Sequence, residues 1–223
     1  METARGILQG FVVLEGLDGS GTSTQLSRLD KRLDGLPLAH ELTWEPTDGP
    51  VGLLIRQALS GQVPVHPDTV ARLFAADRGE HVYGAAGILE LTKAGVLVVS
   101  DRYLFSSLAY QGLTCDSALP AELNAAFPLP ELLVFFDIKP GQAAARLASR
   151  KSLDIYENIG FQTRVDDAYR AILGGFGASG MRIAHIDASM PEDEVEKALW
   201  AEIEPVALRG SRPASRTRPF SRY

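Results

Sequence analysis

The stretch Gly16-Leu17-Asp18-Gly19-Ser20-Gly21-Thr22-Ser23-Thr24 holds the densest chemistry in the chain. Three glycines in six residues let backbone N–H groups turn inward as a nest, and the hydroxyl cluster falls where a helix would begin. A helix N-terminus adds partial positive charge at the same point, so the loop suits a phosphate. The full pattern for such a loop is G-x-x-x-x-G-K-[ST], in which the lysine reaches the terminal phosphates and the hydroxyl ligates Mg²⁺. Gly16, Gly21 and Ser23 fit it, and Thr22 stands at the lysine position. A glycine-rich βα turn without a ligand would read the same way locally.

Three further groups could do chemistry. Asp101-Arg102 follows the apolar run Val96-Leu97-Val98-Val99. An aspartate there can hold Mg²⁺ through water and an arginine can grip a phosphate with a bidentate fork; a structural ion pair or a helix cap is the alternative. Phe74 and Arg78 are four apart and share a helix face, so a ring and a guanidinium could stack on a base and bond its edge. A core phenylalanine beside a snorkelling arginine has the same spacing. Arg146, Arg150 and Lys151 lie on or just past a helix end and precede a polar segment. A mobile cationic loop of this kind can close over polyphosphate and exclude water, although positive charge at a helix C-terminus is favourable on its own.

The elements that must position these residues alternate. A strand over about 10–15 leads through the glycine loop into a helix reaching about 33, with Leu26, Leu29 and Leu33 on one face. A second strand, about 38–44, ends at Glu45-Pro46. A short helix over about 51–60 is broken by Gly61 and Pro64, and a long helix runs from Asp68, its expected cap, to about Lys93. The run 96–99 reads as a strand buried on both faces. A helix over about 104–112 precedes an irregular segment with Pro120, Pro128 and Pro130, and a buried strand over 132–136 follows. A helix over about 140–150 begins with proline in its first turn. Beyond the interrupted segment 151–158, a helix over 160–173 stops at Gly174-Gly175, a strand covers 182–186 and a last helix covers about 191–203. Such alternation implies a parallel sheet with helices on both faces, and ligands bind such sheets at the carboxyl ends of the strands. The glycine loop, Glu45 and Asp101-Arg102 all fall at such ends.

Composition narrows the class. With 45% hydrophobic and 22% charged residues the chain reads as an ordinary globular protein. No apolar run approaches the ~20 residues of a membrane span. Met1 to Gly10 carries no signal-peptide hydrophobic region, and the single cysteine, Cys115, excludes an internal disulfide, so a cytoplasmic location is expected. The net charge of -6 hides an asymmetry: Arg209, Arg212, Arg216, Arg218 and Arg222 sit in the last 15 residues with no acid. Apart from them, 17 basic residues face 28 acidic ones, which argues against a general nucleic-acid binder. One domain over 1–208 is expected, with a lid at about 150–158 and a flexible Ser/Pro/Arg-rich tail over 209–223.

Together and in this order the segments resemble the thymidylate kinases. Phe11 to Gln25 matches F-I-x-x-E-G-x-D-G-x-G-K-[ST]-T-Q except at Thr22. Trp44 to Pro50 loosely matches R-E-P-G-G-T-P, with Trp44 for the arginine. Leu73 to Arg78 is L-F-A-A-D-R in full, Asp101 to Gln111 is D-R-Y-x-x-S-S-L-A-Y-Q, Leu153 to Glu157 is similar to the lid's L-D-x-x-E, and Ile186 to Ser189 is I-D-A-S. The resemblance implies a five-stranded parallel sheet in the nucleoside-monophosphate-kinase arrangement, a homodimer, and transfer of the γ-phosphoryl of ATP to dTMP with Mg²⁺. It implies ATP contacts over Gly16 to Thr24 and metal contacts at Ser23 and Asp101. For the substrate it implies Glu45, Phe74 stacking on thymine, Arg78 bonding the base, Arg102 on the phosphate, Ser107 at the base, Tyr110 under the sugar, and Gln111. Asp18, Arg102 and the lid cations Arg150 and Lys151 form the implied catalytic set. Thr22, and Ile155 in place of a lid arginine, both remove positive charge from around the transferred group.

Overall fold

The computed structural model describes residues 6–116, 118–147 and 159–210. Five strands, β1 (Ile7–Gly16), β2 (His40–Trp44), β3 (Leu97–Asp101), β4 (Leu129–Asp137) and β5 (Arg182–Asp187), form one all-parallel sheet in the order β2-β3-β1-β4-β5. The apolar runs of the central strands, Phe11 to Leu14 and Leu132 to Phe136, are buried, as expected of strands covered on both faces. Nine α-helices are described: α1 (Thr22–Leu33), α2 (Pro50–Leu59), α3 (Pro67–Tyr83), α4 (Ile88–Lys93), α5 (Leu104–Tyr110), α6 (Leu119–Asn124), α7 (Pro140–Leu147), α8 (Ile159–Gly175) and α9 (Glu192–Gly210), with a 3₁₀ turn at Gln111–Leu113 after α5.

Four differences from the sequence reading have local causes. The long helix expected up to Lys93 is two, because Gly84 leaves the helical region and a Cβ on Gly87 would press on the carbonyls of Val82, His81 and Gly84. The cap of α3 is His66, whose ring nitrogen accepts from the Asp68 N–H at 3.3 Å; Asp68 itself lies in the first turn. β4 starts three residues early and includes Pro130, which pairs with Leu8 of β1 where β5 does not reach, so its missing N–H breaks no ladder there. The last helix runs through Pro205 to Gly210; the proline forgoes the bond to the carbonyl of Ala201, an exposed residue. The short helix α6 falls in the segment expected to be irregular.

The register fixes the site. Leu14 of β1 and Trp44 of β2 both pair with Asp101 of β3, so three strands end side by side. Two bonds continue the alignment past the strands: Glu45 N–H donates to the Asp101 carbonyl (3.1 Å) and Arg102 N–H to the Leu14 carbonyl (2.9 Å).

Candidate active site

The glycine loop closes the end of β1. Ser20 N–H returns to the Leu17 carbonyl at 3.0 Å, and Gly19 and Gly21 adopt φ of +85° and +97°, which an L side chain tolerates poorly. A Cβ on Gly19 would also overlap the Ala143 carbonyl of α7, so the loop is seated directly on that helix. Gly21 precedes α1 with no side-chain cap, so the first N–H groups of α1 are left without one, an arrangement that can take an anion. Thr22 is buried in the first turn. From α7, Arg146 sets Nη1 3.4 Å from the Ser20 carbonyl and Nη2 2.9 Å from the Ala188 carbonyl, at the rim of the loop.

Ser23 Oγ donates to Asp101 Oδ2 at 2.6 Å, while Asp101 Oδ1 is buried with no hydrogen-bond partner among the described residues. A buried carboxylate oxygen left over beside a hydroxyl fits a hard divalent cation, and these two residues are the ones that would hold Mg²⁺.

Arg102 leaves β3 with φ +75°, a left-handed conformation that costs a non-glycine residue free energy and is typical of sites. Its guanidinium reaches Asp18 Oδ1 (2.5 Å), the Gly16 carbonyl (3.2 Å) and Ser106 Oγ (3.3 Å), and lies over the Tyr110 ring. The other oxygen of Asp18 accepts from Tyr110 OH (3.0 Å) and from Gln162 Nε2 of α8 (2.9 Å).

On α3, Phe74, Asp77, Arg78 and His81 fall three or four apart and form one stripe. Arg78 is buried and gives Nε and Nη2 to Glu45 Oε2 (3.0 and 2.6 Å), Nη2 to Ser107 Oγ (3.0 Å) and Nη1 to Asn124 Oδ1. Four of its five N–H donors are thereby used, which leaves one on Nη1 without a partner among the described residues. Burial would raise the Glu45 carboxyl, but Arg78 and His81 outweigh it and hold it below the usual carboxylate range. Asp77 receives Thr47 N–H and Oγ1 (2.7 and 2.6 Å) and so fixes the loop after β2. A cavity of about 740 Å³ joins these parts; Asp18, Thr22, Ser23, Phe74, Arg78, Arg102, Tyr110 and Gln111 are among its lining residues. Gln111 is buried, and its Oε1 has no partner among the described residues.

Beneath the loop lies Glu15, fully buried. Its Oε1 accepts from the N–H groups of Tyr103 and Ser106 (3.0 and 3.2 Å), and its Oε2 from Ser106 Oγ (2.6 Å) and Tyr169 OH (2.8 Å). Burial pushes its pKa from 4.5 to about 7 against the opposing effects of Ser106, Arg102 and Tyr169.

A phosphate nest at β1, a carboxylate–hydroxyl pair beside it and an arginine-lined cavity across a five-stranded parallel sheet define a phosphate-loop protein of the nucleoside-monophosphate-kinase class. The sequence model of the family described as thymidylate kinase matches residues 14–199. A putative thymidylate kinase of Treponema pallidum (strain Nichols) is 41% identical over 167 residues, 74% of this chain and 80% of its own. Probable thymidylate kinases of Pyrobaculum calidifontis and Pyrobaculum aerophilum are 36% and 39% identical over 199 and 189 residues, 87% and 83% of this chain and 95% and 91% of theirs. The chain belongs to the thymidylate kinase family.

The structure brings most of the expected residues to one cavity. Gly16, Ser20 and Ser107 stand behind the lining: Ser20 Oγ lies 2.7 Å from where a Cβ on Gly16 would sit, and Ser107 orients Arg78. Arg150, Lys151 and the lid segment lie outside the described residues. Sequence reasoning missed Arg56 of α2, which lines the cavity and donates through Nη2 to the Pro46 and Thr47 carbonyls and to Asp48. It also missed Ser106 and Gln162, which hold Glu15 and Asp18. The Ser106-Ser107 doublet was a usable signal for the first; nothing in local spacing marked the other two.

The raised pKa of Glu15 makes stability depend on pH with a defined sign. Below about 4.5 both folded and unfolded states hold the proton; between 4.5 and about 7 only the folded state does, so stability falls as pH rises through that window. The full loss is on the order of 3 kcal/mol at ~1.4 kcal/mol per pKa unit. In urea unfolding between pH 5 and 8, Glu15→Gln should remove most of this decline, and parallel profiles for parent and variant would refute the assignment.

Proposed function

We propose that the chain transfers the γ-phosphoryl of ATP to dTMP, giving dTDP. The observation that carries the substrate is the meeting of Phe74, Arg78, Tyr110 and Gln111 on one cavity, with the buried Gln111 amide oxygen unpartnered among the described residues. In this reading Arg78 donates to O4 of thymine and the Gln111 amide oxygen accepts its N3–H, and in that placement the amino group and N3 of cytosine are both mismatched. Phe74 supplies the face for the ring, and Tyr110 lies under the sugar. Arg102 holds the 5′-phosphate; its present partner Asp18 is a carboxylate that a phosphate can replace or join.

Phosphoryl transfer asks the protein for position and charge neutralisation rather than covalent chemistry. In this reading the loop Gly16 to Thr24 cradles the ATP phosphates and Arg102 orients the attacking phosphate oxygen, while Ser23 and Asp101 would hold Mg²⁺, which when bound would supply charge neutralisation for the transferred group. Thr22 removes one cation. A missing donor of this kind costs roughly 3 kcal/mol, or a hundred-fold or more in rate. A lid cation, Lys151 first and Arg150 second, makes up part of that loss when the lid closes over ATP. We propose with it a homodimer acting in the cytoplasm. Among the described residues no helix is long and apolar enough to cross a membrane. The substitution at Thr22 also favours a second reading, a silent nucleotide-binding protein that keeps the thymidylate pocket.

Coupled ADP release should occur with dTMP and far less with dCMP or dGMP; equal rates for all three would remove the substrate assignment. Thr22→Lys should raise kcat and make Lys151→Ala less damaging, since both cations serve one phosphate. An inactive parent with an active Thr22→Lys variant would establish the silent reading instead. Arg102→Ala should weaken dTMP binding by about 2 kcal/mol or more, measured by calorimetry; unchanged binding would make Arg102 structural.

A further inference from the structure

Arg78 can read a base only if its guanidinium is held at one angle, and the structure shows what holds it. Glu45 Oε2 takes two of its N–H groups. The other oxygen, Oε1, lies 3.0 Å from His81 Nδ1, and His81 Nε2 lies 2.7 Å from Thr43 Oγ1. The side chains of Arg78, Glu45 and His81 are 1%, 2% and 9% exposed, so water does not substitute freely for any of these bonds. A polar line therefore runs Thr43–His81–Glu45–Arg78, from the C-terminal end of β2 through α3 to the cavity.

One tautomer satisfies every member. With the proton on Nδ1, His81 donates to Glu45 Oε1, and its Nε2 accepts the Thr43 hydroxyl proton. The ring then fixes Glu45 on the side away from Arg78, so the carboxylate cannot rotate about its last bond without losing a buried partner. His81 lies three positions after Arg78, so the same turn of α3 that aims the guanidinium carries the group that orients its counter-ion.

We propose that His81 is a positioning residue for base recognition, acting through Glu45 on Arg78. His81 touches neither the nucleotide nor the phosphates in this account, and its loss acts on the acceptor base alone. The inference rests on the dTMP assignment above.

The test separates a positioning role from a merely structural one. His81→Asn places an amide N–H close to the Nδ1 position, whereas His81→Gln places it near Nε2. The measurements are KM for dTMP, KM for ATP, kcat, and dTMP affinity by calorimetry. His81→Ala and His81→Gln should each raise the KM and Kd for dTMP about tenfold, the scale of one hydrogen bond to a charged group, with kcat and the KM for ATP within about twofold. His81→Asn should stay within about threefold of the parent. In a Glu45→Gln background, His81→Ala should add little, because its effect passes through the carboxylate. Equal behaviour of the Asn and Gln variants, or a parallel fall in kcat and in ATP affinity, would overturn the proposal. If His81→Ala does not fold, the Asn and Gln pair decides alone. A parent that binds no dTMP would overturn the substrate assignment and this inference with it; a parent that binds dTMP beside unaffected variants would overturn the inference only.

Discussion

Three neighbouring strands each deliver a carboxylate to the same buried edge, and a carboxylate out of water must be paired, hydrogen-bonded or protonated. The structure meets this constraint in three ways. Glu15 at the end of β1 accepts four hydrogen bonds, and its burial still raises its pKa to about 7. Asp101 at the end of β3 takes one bond from Ser23 and keeps one oxygen unspent. Glu45, just past β2, is paired with Arg78 and His81. Because Leu14, Asp101 and Trp44 are in register, these three solutions stand side by side.

The cavity follows from this arrangement. Breaking a buried pair such as Glu45–Arg78 costs about 3–5 kcal/mol, so α3 is fixed against the end of β2 by the same contact that aims Arg78. Asp77 adds two bonds to Thr47, and a Cβ on Gly52 would overlap the Thr47 backbone, so α2 is seated on the same loop. Across the cavity, Ser106 joins Glu15 to Arg102, and Tyr169 of α8 joins the same carboxylate. The glycine loop and the Arg102 side of the cavity thus share a common base at β1.

The sheet was legible because its strands are continuous apolar runs, and the site because its residues lie at strand ends or in one helical stripe. Glycine loop, Asp101-Arg102 and Phe74/Arg78 all carried their placement in local pattern. What local pattern does not encode is which long-range partner a buried group takes. Spacing placed Arg78 on the helix face of Phe74, but its use of four donors on Glu45, Ser107 and Asn124 depends on side chains from three other segments. Arg56 and Gln162 reach the site from helix positions that look like ordinary polar faces. The break at Gly84–Gly87 was visible as two glycines, yet helical periodicity on either side hid it. Pro130 was placed in an irregular segment, and the short reach of β5 is what lets it stand in β4.

A crystal structure of the chain with dTMP tests the central claim most directly. The account predicts the thymine ring on Phe74 with its N3–H on the Gln111 amide and O4 on Arg78, and the 5′-phosphate on Arg102. A nucleotide bound only at the Gly16 to Thr24 loop, or a base turned away from Gln111 and Arg78, would contradict it.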